Sequence, residues 1–317
     1  MIAAASALLA GAAQAASLTP IPSYVDPNGG VTGVLGLNDA GWMTGVISEP
    51  DGSSLGFLRD PSGVYTTFSD GFGTVGRGIN AANDVTGYAT DSTFNLRTDT
   101  QFLRTPGGAF TTLVNPNTAA PLNGIAQGIN SAGVIVGDYY VPGMSHEHHG
   151  YILDGGSFTD LAIPGSPDDL VEARGVNDSG TVVGYAGVAG VDVGFIYSGG
   201  TFTFVSDPNP LAVGTFFEGL NNNGLIVGFW QDAGGDEHAL EFDSGADTFR
   251  DFNVPGAMNA EAFGVNDIGE VTINTDIASG PSNFLYNPGS VPEPAAWGVM
   301  LLGLSSVGAA LRRRARA

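Results

Sequence analysis

The sequence predicts an all-β fold, a six-bladed β-propeller of four-stranded repeats about 45 residues long, and three observations carry that prediction. A hexad Gly-apolar-Asn-x-x-Gly recurs with its asparagine at Asn38, Asn80, Asn130, Asn177, Asn221 and Asn266, at spacings of 42, 50, 47, 44 and 45 residues. Periods in this range mark propeller blades or solenoid turns. Each of the first five units also holds four short β-like runs divided by Gly, Asn, Asp and Pro, and the sixth unit lacks its fourth run.

The fourth unit shows the grammar most clearly: EARGVN, the turn DSG, TVVGYA, VGFIYSGG and TFTFVSDP. Such runs build a four-stranded antiparallel sheet. The Asn with Gly three positions later fits a tight hairpin between first and second strands, the Asn side chain bonding nearby backbone and the Gly taking positive φ. In the second unit Asn83 stands where the others have Gly41, Gly133, Gly180, Gly224 and Gly269. Asn is the usual non-glycine occupant of that region. A further glycine lies seven after the Asn, at Gly45, Gly87, Gly137, Gly184 and Gly228, with Ile273 in the sixth unit; it implies close backbone packing or a bulge within the strand.

The sixth unit runs through AFGVN, EVTINT and SNFLYNPG straight into a C-terminal segment of different character. The N-terminal stretch SLTPIPSYVD matches the missing fourth run, as in FTDLAIPGSPD and FTFVSDPNP. An N-terminal strand that completes the last blade closes the ring and removes exposed sheet edges. An open solenoid is the competing fold, but it needs capping units, and none is visible. No helical periodicity of useful length occurs within 16–290.

Both termini read as addresses. The last 27 residues carry Pro292-Glu293-Pro294, an apolar run over 295–311, then Arg312, Arg313, Arg314 and Arg316. Seventeen apolar residues sit at the short end of a membrane-crossing helix, roughly 17 to 25, and the arginines would remain cytoplasmic. The ordered set resembles the PEP-CTERM sorting signal of Gram-negative bacteria that make exopolysaccharide. That resemblance implies transient anchoring in the inner membrane, cleavage near the triplet by an exosortase, and release or attachment at the cell surface. An ordinary C-terminal anchor is the plainer reading, but it needs no Pro-Glu-Pro.

At the other end, Ile2 to Ala13 is apolar and Ala13-Gln14-Ala15 has the small-x-small form of a signal-peptidase site. The expected organisation is a signal peptide over 1–15, a repeat domain over 16–290 and a sorting signal over 291–317. No basic residue precedes the apolar run, so a basic n-region is expected upstream of Met1. With no cysteine, an exported chain is held without disulfides and offers neither thiol nucleophile nor thiolate metal site.

The repeats are similar to the bacterial extracellular HAF repeats, whose units carry a Gly-apolar-Asn turn and a His-Ala-Phe-like third strand. The third-strand positions read LGF (55–57), TQF (100–102), HGY (149–151), VGF (193–195), HAL (238–240) and SNF (282–284). The resemblance implies an extracellular location and no assigned chemistry. Only His149 and His238 hold the histidine position.

Lysine is absent and the formal net charge is −22, with four of the ten arginines in the tail. So acidic a body repels nucleic acid and anionic membranes and favours cations or neutral, hydroxyl-rich partners; solubility in a salty exterior is the plainer reading. Candidate chemistry is sparse. His146-Glu147-His148-His149 is the densest ligand-like cluster; in an extended segment His146 and His148 face one way and, with another donor, could hold a transition metal. Histidines in loops are more often simply solvated. Calcium at the NDAG, NDSG and NDIG turns is a weaker reading, because alternating acidic ligands and a distal bidentate Glu are missing. Gly71 to Gly76 spells GxGxxG but has no following helix to bind phosphate. Tyr139, Tyr140, Phe229 and Trp230, at strand ends, could form a sugar-stacking rim or cap the core.

The reading is an exported, non-enzymatic surface or matrix protein associated with exopolysaccharide or biofilm, with exosortase as its processing partner and no cofactor. A polysaccharide lyase or hydrolase on the same scaffold, and a calcium or transition-metal module, are the alternatives.

Overall fold

The computed structural model describes residues 15–91, 99–115, 120–140, 148–165, 170–277 and 281–289. The expected sorting segment with its 295–311 helix, all of the expected signal peptide but Ala15, and His146 lie outside the described residues. One compact unit spans Leu18–Tyr286; the other comprises Met1–Ser17 and Asn287–Ala317.

Every described element is a strand, and among the described residues no helix is long and apolar enough to cross a membrane. Four sheets are four-stranded, and an eight-stranded one consists of two such groups that meet through a single parallel pair, Ser54 with Gly73. The fourth repeat is typical: Val171–Val176, Val182–Val188, Val191–Ser198 and Thr201–Val205 form a simple antiparallel meander. In the last sheet the order places Ser17–Pro20 beside Asn283–Asn287, followed by Val271–Thr275 and Ala260–Val265. The N-terminal strand therefore occupies the fourth position of the sixth repeat, as the sequence implied.

Strand alternation sends one set of side chains between sheets. The last residue of each third-strand triplet, Phe57, Phe102, Tyr151, Phe195, Leu240 and Phe284, is buried. Apolar clusters bridge neighbouring repeats, as where Val136 of the third packs with Val171, Val182 and Phe195 of the fourth. Burying such side chains contributes roughly 1.5–3 kcal/mol each.

The Asn turns form as expected. Gly180 has φ +79°, and Asn83, the non-glycine occupant, has φ 65°. Asn177 Oδ1 accepts from the backbone N–H of Ser179 and Thr181. The other half of the amide does something the local pattern does not imply: it bonds the next repeat. Nδ2 of Asn38, Asn80, Asn130, Asn177 and Asn221 donates to the backbone carbonyl of Asn80, Asn130, Asn177, Asn221 and Asn266 in turn, at 2.9–3.4 Å. Asp267 N–H then donates to Asp39 Oδ1 at 2.7 Å, joining the sixth turn to the first.

The glycine seven residues after each Asn faces a register slip on the neighbouring first strand, as where Gly184 pairs with Ala173 just before the Ala173/Gly175 slip. A Cβ at Gly184 would lie 1.9 Å from Glu172 O. Close backbone approach is thus the reason for the glycine, and the bulge belongs to the adjacent strand rather than to its own. Ile273, fully buried against Phe252 and Val254, stands there in the sixth repeat.

Candidate ligand-binding face

The six first strands line a narrow central space of about 90 Å³. They end at the Asn turns, which define one face of the fold; they begin at the opposite face, where second strands end and third strands start. Three residues before each Asn stand Leu35, Arg77, Gln127, Arg174, Glu218 and Phe263, all lining that space. At this position the repeat abandons its own regularity. Arg77 Nε donates to Gln127 Oε1 at 2.6 Å, Arg174 Nη1 donates to Glu218 Oε2 at 3.4 Å, and Arg77 lies 3.8 Å from the same carboxylate.

Two polar branches run from this ring towards the face where the strands begin. In one, Arg174 Nη2 donates to Glu172 Oε2 at 2.7 Å and to the Tyr185 hydroxyl at 3.0 Å. Burial would depress the Arg174 guanidinium, but Glu218 and Glu172 outweigh it and hold its pKa well above the usual arginine value. Arg77 moves the other way, lowered by burial and by the charge of Arg174. In the second branch Gln127 Nε2 donates to Asp138 Oδ1 at 3.2 Å, and His148 Nδ1 lies 2.8 Å from Asp138 Oδ2. Gln101, fully buried, reaches across from the second repeat to donate to Asp138 O at 2.8 Å. Across the central space, burial and the neighbouring Glu237 carboxyl push Glu261 up to about 8.

Arg174 is thus neutralised by its own carboxylates. Buried ion networks of this kind fix geometry more than they add stability.

The histidines and aromatics singled out in the sequence are not assembled into one site. His148 is tied to Asp138, whereas its strand neighbour His149 is buried and lies 3.7 Å from Asp160. Successive strand residues point to opposite faces, so these two do not converge on a common ion. Among the described residues no group of three His, Asp or Glu could hold a metal. Of the two placements open to the aromatic residues, rim or core cap, Trp230 and Phe229 take the second. Trp230 is 4 % exposed, stacks on His238 at 3.9 Å and donates to Asp251 Oδ1; Phe229 is buried against Phe216. Tyr139 packs edge-on to His149, Tyr151 and Phe158, and burial and Asp160 push its hydroxyl up to about 12. Tyr140 is half-buried, with its N–H on Asn123 O. Trp230 and Tyr139 join the apolar clusters of their repeats, and Phe229, on the other side of its strand, is covered by Phe216. At the Asn turns, Asp178, Asp267 and Asp39 each accept a backbone N–H from another turn.

Arg77, Gln127, Arg174 and Glu218 escaped the sequence reading. Their signal was present: aligning the repeats on the Asn gives Leu, Arg, Gln, Arg, Glu and Phe at one position, the largest break in chemistry in an otherwise regular pattern.

The fold is β-propeller-like. It is similar to an Aleuria aurantia lectin in complex with Fucα1-6GlcNAc, at 11 % identity and TM-score 0.50, covering 86 % of this chain and 100 % of the lectin. The same lectin with α-methyl-L-fucoside gives 12 % identity and TM-score 0.51 over 86 % and 99 %. TolB from Acinetobacter baumannii gives 13 % and 0.51 over 79 % of this chain, which spans 64 % of TolB's length. At such identities the likeness is one of fold. Residues 290–314 match the family model of the PEP-CTERM protein-sorting motif. The motif implies export, transient membrane anchoring, processing by exosortase and a surface destination. No curated protein matches the chain.

Proposed function

We propose that this is an exported, non-enzymatic cell-surface or matrix protein, built as a closed six-bladed propeller and associated with exopolysaccharide. The observation that carries the reading is a PEP-CTERM motif attached to a propeller-like body. Six blades and ring closure are supported by the hydrogen bonds that pass from turn to turn and return from Asp267 to Asp39, and by the N-terminal strand in the last sheet. A hydroxyl-rich glycan is the partner that a chain of net charge −22 favours over nucleic acid or an anionic membrane.

One observation favours a hydrolase as the second reading: Glu261, pushed up to about 8 beside Glu237, has the protonation a general acid requires. A single experiment separates the two. The exported protein is co-sedimented with the producer's purified exopolysaccharide, with calcium and again with chelator, and polysaccharide length is read alongside. Binding with chain length unchanged is expected. Shortened chains would establish the hydrolase, loss of binding with chelator would assign bridging cations, and absence of both binding and cleavage would refute the glycan association.

A further inference from the structure

Between the first and second repeats, at the face where the strands begin, lies a cleft of about 500 Å³, within the roughly 300–1,000 Å³ that ligand sites occupy. Val46 and Val75 give it an apolar wall; Arg77, Tyr88 and Asp99 give it polar groups, and Ser48 stands at its exposed edge. Asp99 is 2 % exposed, and its Oδ1 is buried without a hydrogen-bond partner. A buried acceptor left unpaired costs free energy, which a ligand hydroxyl would recover. Burial pushes this carboxyl above the ordinary aspartate value, with the Asp91 charge adding to it and the Thr90 hydroxyl opposing it.

Resting on the glycan reading above, we propose that this cleft is a saccharide subsite that takes one neutral pyranose residue of a polysaccharide. The donor set selects that chemistry. Asp99 only accepts when ionised, a guanidinium only donates, and the Tyr88 hydroxyl does both; adjacent sugar hydroxyls, each donor and acceptor, meet all three. The valines suit the C–H face of a ring. A cation is disfavoured by Arg77 in the same cleft, and a uronate by Asp99 and Glu49, which also lines it. The cleft shares Thr90 with a neighbouring one of about 670 Å³ that includes Phe72, 38 % exposed. A polymer therefore has room to continue on that side of the bound residue. The fourth repeat carries Arg174, Tyr185 and Asp192 at the equivalent positions, but there Glu172 stands in place of Val75 and ties up Arg174, so the open subsite is assigned to the second repeat.

The test is calorimetric titration of the exported protein with the methyl pyranosides of glucose, galactose, mannose and rhamnose, and with glucuronate. At least one neutral pyranoside binds and glucuronate does not. Asp99→Asn weakens the binding at least tenfold. Ser48→Trp, a change at an exposed position that fills the cleft, abolishes it with an unchanged melting temperature. The proposal is overturned if no neutral pyranoside binds, if glucuronate binds as tightly, or if both variants bind like the parent. A protein that fails here yet co-sediments with exopolysaccharide loses this cleft and keeps the proposed function. One that binds a pyranoside but not the exopolysaccharide keeps the cleft and loses the proposed partner.

Discussion

The two faces of this molecule obey different rules. At the turn face the same asparagine, bonded in nearly the same way, recurs from repeat to repeat, and the amides of the first five each pass a hydrogen bond to the next turn. Around the central space equivalent positions hold Leu35, Arg77, Gln127, Arg174, Glu218 and Phe263, and towards the opposite face lie carboxyls raised by burial, among them Glu172, Glu261 and Asp99. Regularity marks what the fold requires, because each repeat must present the same groups to the next. Departure from it marks where the chain is free to do something specific.

The sharpest way to break the contrast is to attack the regular part. Gly228→Ala would put a Cβ 1.9 Å from Phe216 O, and both partners are backbone that cannot swing away. We expect a loss of about 3 kcal/mol or more in urea unfolding. Asn177→Ala removes the acceptor of the Ser179 and Thr181 N–H groups and the donor to Asn221 O, and should cost about 2–3 kcal/mol by the same assay. A loss confined to a few tenths would show that the turn-to-turn ladder is ornamental.

The irregular face should reveal itself through pH. Glu261 is raised to about 8 from an ordinary 4.5 by burial and Glu237, so the fold prefers its protonated form. Its contribution is complete below about pH 4.5 and is lost as pH rises through 8. Melting temperature should therefore fall between pH 5 and 8.5, by an amount on the order of 1–2 kcal/mol in stability once partial exposure is allowed for. Glu261→Gln should flatten that slope; an unaltered slope would remove Glu261 as its source. Smallest of all is Asn83→Gly, which relieves a positive φ but forfeits the bond from Asn38 Nδ2. The expected change is within about 0.5 kcal/mol.

Much of the regular face was legible in the sequence. Asn-x-x-Gly and the Asn83 exception specify their dihedrals locally, and the absent fourth run of the sixth repeat pointed to the N-terminus. The bridging role of the Asn amide was not legible, because its partner lies 42 to 50 residues away. The candidate site was read least well. Trp230 and Tyr139 drew notice as aromatic residues at strand ends, but the pleat turns them into the core. Arg77, Arg174 and Glu218 sit among glycines and small apolar residues, and only superposing the repeats brings them to one ring. Asp99 carries no motif at all; its unpaired oxygen is a property of packing.

The measurement that most directly tests a ligand-binding face set against a structural one is hydrogen–deuterium exchange on the exported protein, with and without exopolysaccharide. Exchange should slow at the ends of Met43–Ser48 and Val85–Thr90 and at the start of Thr100–Arg104, with the Asn turns unchanged. Protection confined to the Asn turns, or spread evenly over both faces, would contradict it.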